Sequence, residues 1–485
     1  MALQSEAATT RHLDRLSGAD AYYLVHESPM ENFYGGPGFV FLFAGECPTF
    51  EDFVTHVGER VPVLPRLRQK VLEVPFGFAR PVWCDDPDFR LDYHVSYAPL
   101  PPPGTEEGLQ RLVSHLFSEQ LDRNKPLWRM WLVPDIGEGR FAVIFKTHHS
   151  VGDGVSFGRY FTEVIFDGGG VPFAAGGGLD HFAPQPAPAP ARLLLRSLAD
   201  GLGSFAATFR RLALAGRQPL STTRELASGA IAVFEALRNM AGLAPIVAGL
   251  NPSLSAHREI TWTRFEMERI MRVRAALGGT ANDVFLAMVA GAMRAWFLAN
   301  DLDPSDQELK VGIAVSTRPE DDPLAQLGNE TSGYRAALPL GIADAETRHR
   351  VIRDHMAALK VSRQVRGAVL IQRLDELAPY RFLRSWTSFH GSPRLFNLIA
   401  SNIRGPARPL QLLGQSLTDI FPINLLVPNQ AIIITLMSCN GVADITLIGD
   451  HRAMGDIGML RDTLFTELQE FERIIEQRDG VVSLV

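Results

Sequence analysis

Cysteine is scarce in this sequence: three in 485 residues, Cys47, Cys84 and Cys439, with no CxxC pair among them. That excludes a disulfide framework or a zinc ribbon, and it suits a reducing cytoplasm. Charge of one sign is lacking too. The 47 Lys and Arg against 54 Asp and Glu leave −7, too mild a balance to draw nucleic acid, so any basic surface is local. Met1 to Thr10 has no basic start followed by an apolar core, so no secretory signal is expected. An uncharged apolar run of the ~20 residues that span a bilayer is missing as well. The longest candidate, Val284–Ala299, contains Arg294 and reads as a buried helix. What remains is 46% hydrophobic and 21% charged, enough for sizeable cores, and the length fits two large domains.

The clearest break in composition runs from Asp167 to Pro190. Two glycine triplets there (Gly168–Gly170, Gly176–Gly178) precede a Pro-Ala alternation ending at Pro190, a flexible stretch followed by an extended spacer. The expected organisation is a first domain over 1–166, a linker with crossover helices over 167–257, and a second domain over 258–485. Trp128–Val133 and Arg140–Thr147 are apolar, β-prone runs around a Gly-containing turn, a hairpin pattern. Ala431–Cys439 and Val442–Ile448 repeat it around Asn440-Gly441, a type I′ signal. Helical patterns follow each hairpin, at Val155–Ile165 and Gly458–Gln477. Each half closes with strand, turn, strand, loop and helix, which predicts two related α/β domains.

The sharpest local pattern follows Phe141-Ala-Val-Ile-Phe-Lys-Thr147: His148-His149-Ser150-Val151-Gly152-Asp153-Gly154. A buried strand there delivers two adjacent histidines to its end. Neighbouring strand residues face opposite ways, so only one imidazole faces a given cleft. His149 reads as the functional ring and His148 as a packed or hydrogen-bonded neighbour. An imidazole of pKa ~6.5 is mostly neutral at pH 7, able to take a hydroxyl proton and return it. Gly152 and Gly154 permit a tight turn with close backbone approach. Asp153 either orients His149 as a triad carboxylate does or anchors the loop to an arginine; its place on the tight loop favours the anchor. Adjacent histidines plus one aspartate lack the HExxH-type spacing, so no metal is expected.

Further segments fall in a fixed order: Arg15–Asp20, Val63–Arg68, Pro81–Trp83, Phe89–His94, Pro126-Leu127-Trp128, Asn282-Asp283, Val315–Arg318, Gly328-Asn329 and Ser401-Asn-Ile-Arg-Gly-Pro406. With the histidine motif they resemble, over nearly the whole chain, the bacterial wax ester synthase/acyl-CoA:diacylglycerol acyltransferases. Those belong to the HHxxxDG superfamily, along with chloramphenicol acetyltransferase and nonribosomal peptide condensation domains. The resemblance implies an α/β (α+β) fold of two chloramphenicol-acetyltransferase-like domains, mixed sheets flanked by helices, and an active-site tunnel at their interface. It implies His149 as general base, supported by His148, with Asp153 orienting or structural and Gly154 completing the motif. The partners implied are acyl-CoA, as co-substrate rather than cofactor, and diacylglycerol or a long-chain alcohol. Transfer would be direct, without an acyl-enzyme. The rival readings are a condensation-type enzyme using a carrier-bound thioester and a non-catalytic lipid-binding homologue.

The remaining matches have two readings each. Asn282 is either a hydrogen-bond donor near the reaction or, with Asp283, part of a helix start. Trp128 contacts substrate or packs before its strand. Ser401 and Asn402 line the tunnel, or their segment is turn chemistry. The family's usual Met-His-x-Gly is replaced after Pro29 by Met30-Glu-Asn-Phe-Tyr, and Ile403 and Arg404 stand where it carries a small aliphatic and a proline; substrate preference is what these changes touch. His451, after the second hairpin with Asp456 five residues on, resembles a decayed counterpart of the first site. Residues 191–216 carry Leu195, Leu198, Leu202, Phe205, Phe209 and Leu212 as one stripe, with Arg192, Arg196, Arg210 and Arg211 beside it. Such a helix either lies in a membrane interface or packs on its own domains. The expected location is cytoplasmic, peripheral to the inner membrane face or lipid droplets.

Overall fold

The computed structural model describes residues 14–27, 31–154, 156–168, 182–199, 244–247, 249–316, 329, 331–361, 380, 383, 395–406 and 408–482. Its first strands are β1 (Gly38–Ala44), β2 (Gln69–Leu72), β3 (Val82–Asp85), β4 (Val95–Tyr97), β5 (Trp128–Val133) and β6 (Arg140–Thr147). Then come β7 (Arg258–Glu266), β8 (Glu308–Ser316), β9 (Thr331–Pro339) and β10 (Leu398–Arg404). The last are β11 (Gln411–Leu412), β12 (Gln415–Ile423), β13 (Ile432–Cys439) and β14 (Val442–Asp450). The two hairpins read from sequence are β5–β6 and β13–β14, both antiparallel. Asn440 and Gly441 turn the second with φ of +48° and +82°, the left-handed pair that a type I′ turn requires.

Two six-stranded mixed sheets result, ordered β11-β12-β1-β6-β5-β4 and β7-β14-β13-β10-β8-β9. In the quartet β1-β6-β5-β4 the junctions are antiparallel, antiparallel and parallel. The quartet β7-β14-β13-β10 repeats that sequence of junctions. One plan is used twice, as the echo between the hairpins predicts.

The linear division at 258 does not hold inside the first sheet, because β11 and β12 come from the second half of the chain. β12 pairs with β1 from Gly38↔Ile423 to Ala44↔Ser416. The reason is the character of β1, where Phe39, Val40, Phe41, Leu42 and Phe43 are all buried. Without a neighbour it would be an apolar, unpaired edge, the kind that aggregates. β11 covers only the start of β12, and the N–H of Ile420 donates instead to Asp444 of β14, 2.8 Å away. Val40, Leu42 and Ile144 of the first sheet share one apolar cluster with Trp262, Ile433 and Ile448 of the second.

Helices cover the outer faces. Ala281–Ala299 is long and apolar enough to cross a membrane, yet most of it is buried in the core of the second half. The helix expected at Val155–Ile165 is a wide π turn over Ser156–Phe161 followed by α-helix over Thr162–Ile165. Phe161 stacks there on Phe145 of β6, centroids 4.0 Å apart. Residues 182–189 carry no regular structure and 190–199 are helical. The glycine triplets after Gly168, the stripe beyond residue 199, and residues 317, 318 and 328 of the quoted motifs lie outside the described residues.

Candidate active site

β6 ends at Thr147, but its ladder runs on. The N–H of His148 donates to Leu127 O (2.9 Å) and that of His149 to Gly35 O (2.7 Å). His148 thus continues the ladder, while His149 opens a turn closed by the Val151 N–H on His148 O at 3.0 Å, and the two rings pack against different partners.

His148 is fully buried. The Ser150 N–H donates to its Nδ1 at 3.1 Å, which directs the ring proton to Nε2. That nitrogen faces Glu27 Oε1 at 3.7 Å. Burial raises the Glu27 carboxyl, but its contacts with His148, Gln120 and the Gly35 N–H together outweigh that and hold it below the ordinary range. Space here is tight: a Cβ on Gly35 would lie 2.3 Å from His148 Nε2. The cluster Gly35-Gly36-Pro37-Gly38 before an apolar strand is the sequence signal for such an approach.

His149 turns the other way. Its ring stacks on Tyr23, centroids 4.0 Å apart and 11° from parallel, and Tyr23 belongs to α1 (Gly18–His26). Burial lowers the His149 pKa to about 4 against the opposing charge of Asp153, so the ring is neutral at physiological pH. Burial also raises the Tyr23 phenol, which keeps its proton. Neither Tyr23 nor its stacking is visible in the histidine motif.

Asp153 is buried, and its Oδ1 accepts from both the N–H and the hydroxyl of Ser156, each at 2.9 Å. It anchors the loop to the turn that follows. Residues 154–158 also spell GxSxG, the pattern of a nucleophile elbow. An elbow serine is exposed on a sharp turn directly after its strand, whereas Ser156 is buried inside the π turn with its hydroxyl on Asp153.

Gly154 brings the motif to β10: a Cβ there would come within 2.8 Å of Ile403 Cδ1. Ser401, buried, and Asn402, exposed, flank that contact. Asn402 Nδ2 reaches Asn282 Oδ1 at 3.5 Å, so these two expected site residues do meet. Asp283 forms a capping box with Thr280 at the head of Ala281–Ala299. Trp128 is buried, stacked on His94, with its ring N–H donated to Leu67 O at 2.7 Å; packing accounts for it. His451 is exposed and pairs with Glu259 Oε2 at 3.0 Å. A cleft of about 530 Å³ lined by Cys47, Asp52, His56 and Gln415 opens beyond Ala44, at the other end of β1 from the histidines. Among the described residues no three His, Cys, Asp or Glu are grouped to hold a metal.

Two sheets of one plan, sharing a borrowed strand and meeting beside a histidine pair, define a fold class with solved examples. The wax ester synthase/diacylglycerol acyltransferase from Marinobacter aquaeolei VT8 superposes with a TM-score of 0.65 at 23% identity, covering 95% of this chain and 100% of that one. The first condensation domain of the calcium-dependent antibiotic synthetase shares the fold with a TM-score of 0.60 at 16% identity, covering 95% and 96%. The family itself is narrower. The wax ester synthase/diacylglycerol acyltransferase catalytic domain matches residues 16–285 and the WS/DGAT C-terminal domain matches 327–472. The chain belongs to this family and is an acyltransferase. A putative diacylglycerol O-acyltransferase of Mycobacterium tuberculosis is 27% identical over 479 residues, 94% of this chain and 90% of that protein.

Proposed function

We propose that this enzyme moves a long acyl chain from acyl-CoA to the hydroxyl of diacylglycerol or a long-chain alcohol, with His149 as general base. The observation that carries the reading is the His149 imidazole: neutral, half-buried, stacked on Tyr23, at the point where the histidine loop touches the second half. As the alcohol oxygen attacks the thioester carbonyl carbon, its proton passes to His149. The tetrahedral intermediate collapses with cleavage of the C–S bond. CoA leaves as thiolate, a good leaving group because thiols have pKa ~8–9, and takes the proton back from the imidazolium. Ester and free CoA are the products, and no cofactor enters. His148 supports the strand end, Asp153 and Gly154 shape the loop, and the Asn282–Asn402 pair offers amide groups to the substrate, while Ser401, on the opposite face of β10, packs inward.

A chain of sixteen carbons in water costs on the order of 12 kcal/mol, so the acyl group needs an apolar passage. The seam between the sheets is the natural place for it. The lipid substrates also argue for work at a membrane or lipid-droplet surface on the cytoplasmic side. Helix 190–199 supports this: Leu195 and Leu198, the described part of the stripe, are 69% and 45% exposed while Leu193 is buried.

Purified protein with labelled palmitoyl-CoA, offered diacylglycerol and hexadecanol together, tests the reading by the products separated on a thin layer. Ester formation that disappears in His149→Ala is expected. Turnover only from an acyl group on a phosphopantetheine carrier protein would favour the condensation-type alternative, and turnover of neither donor would leave a lipid-binding protein.

A further inference from the structure

Asn329 reaches the histidine motif from 180 residues away. Its side-chain Nδ2 donates to the backbone O of His149 at 2.6 Å and to Asp20 Oδ1 at 2.7 Å. Its backbone N–H donates to the same Asp20 oxygen at 3.1 Å. Asp20 is itself fixed, since it closes the capping box of α1 with Ser17, one turn from Tyr23. Both partners of Nδ2 are acceptors, so the amide cannot be turned over. Its NH₂ edge is committed, and its carbonyl edge points away from both.

That carbonyl oxygen is buried with no hydrogen-bond partner, and so is Nδ1 of His149. Buried polar atoms left over in this way are rare and ask for an explanation. An amide oxygen needs a donor, and a neutral imidazole has one N–H to give. We propose that Asn329 is the positioning residue of His149: its Oδ1 accepts the Nδ1–H, which leaves the lone pair on Nε2 for the alcohol.

The two atoms stand outside hydrogen-bond geometry; catalytic contacts often tighten only in the complex with substrate. Asn329 is among the groups that lift the His149 pKa against burial, as is the ring's own carbonyl. Asn329 Nδ2 holds that carbonyl as well. Either route to the tautomer therefore runs through this one side chain. A neutral amide suits the place, since Asp153 already brings negative charge to the ring and burial raises the Asp20 carboxyl, with His148 and Tyr23 the other titratable groups around it. The inference rests on His149 acting as the base.

The test is ¹⁵N NMR of histidine-labelled enzyme at neutral pH, with the His149 signals assigned by their loss in His149→Ala. The expected wild-type spectrum shows Nδ1 protonated and Nε2 bare. In Asn329→Ala the tautomers mix and kcat falls about tenfold to a hundredfold, short of the ~10²–10⁴ that a general base supplies. KM stays near wild type, and Asn329→Gln, which keeps both amide edges, recovers part of kcat. Nε2–H in the wild-type enzyme would overturn the proposal even if Asn329→Ala failed to fold. So would an Asn329→Ala enzyme with unchanged tautomer, or one that loses thermal stability and KM but not kcat. An active His149→Ala enzyme would instead sink the general-base reading beneath it.

Discussion

The end of β6 and the end of β14 are built alike and do different things. After β6, successive N–H groups of His148 and His149 donate to Leu127 O and Gly35 O; after β14, those of Asp450 and His451 donate to Ala431 O and His257 O. Position for position, His451 is the counterpart of His149. The divergence begins one residue earlier. His148 is an imidazole wedged against Gly35, whereas Asp450 is a buried carboxylate that accepts from Ala453 N–H at 3.0 Å and from Ser255 N–H. By capping the helix His451–Met454, Asp450 starts a helix where the first site keeps a loop. His451 is then carried out to solvent and Glu259, while His149 is folded in against Tyr23. A shared strand end does not make a shared site; the side chain before the second histidine decides whether the chain loops or coils.

The largest effect expected from this contrast is in activity. Replacing His149 with alanine should cut kcat/KM about 10²- to 10⁴-fold, and His451→Ala should leave it within twofold. An exposed pair such as His451–Glu259 contributes ~0–1 kcal/mol, so the melting temperature of His451→Ala should also stay close to wild type. Comparable losses in both variants would break the distinction between the strand ends.

Next in size is Gly35→Ala. Its new Cβ would sit 2.3 Å from His148 Nε2, and both groups are hemmed in by the ladder and by Glu27. Overpacking of this kind costs about 1–3 kcal/mol, and the displaced ring pulls on its neighbour His149. Denaturant unfolding alongside turnover should show both losses. Full activity with full stability would mean that the wedge around His148 is slack.

The hairpins and the histidine loop were legible because their signals are contiguous: apolar runs, turn dipeptides and a seven-residue motif. β12 was not. Its Pro422 argues against a central strand, and its place beside Phe39 of β1 follows only from the need to cover that strand's edge. The same holds at the site. Asp20 and Asn329 meet across 309 residues, and each alone looks like a cap or a loop residue. Gly35 was legible as a glycine, but not the imidazole it makes room for. Sequence shows which groups carry chemistry when they are neighbours in the chain, and it conceals the ones that folding brings to them.

A smaller effect lies in pH. The His149 pKa is lowered by burial to about 4, from an unfolded value near ~6.5. The base therefore stays unprotonated down to about pH 4, and the acid limb of kcat/KM should fall near there. Between the two values the unfolded chain binds the extra proton, so this residue subtracts stability as pH drops from about 6.5 towards 4 and leaves it untouched above. An acid limb centred near 6.5 would show that the His149 ring is wetter than its stacking on Tyr23 implies.

The smallest effect separates the halves by their surfaces. The β2–β3 hairpin is held to helix 190–199 by Val74, Val82 and Leu193, and at its tip Phe76 is 78% exposed with φ of +61°, beside Phe78 at 47%. A phenylalanine in left-handed backbone conformation is strained, and an exposed one gains nothing from the fold. The helix packed on this hairpin adds the exposed Leu195, Leu198 and Arg192, apolar groups and a positive charge suited to an anionic lipid interface. Phe76→Ser with Phe78→Ser should reduce co-sedimentation with vesicles containing phosphatidylglycerol about tenfold, since these partly covered rings gain only a fraction of the ~1.5–3 kcal/mol of a fully buried phenylalanine. Turnover of detergent-dispersed hexadecanol should stay within twofold, because neither side chain is near His149. Unchanged sedimentation would move the lipid contact elsewhere on the molecule. A parallel loss of turnover in detergent would place the hairpin in substrate entry instead of attachment.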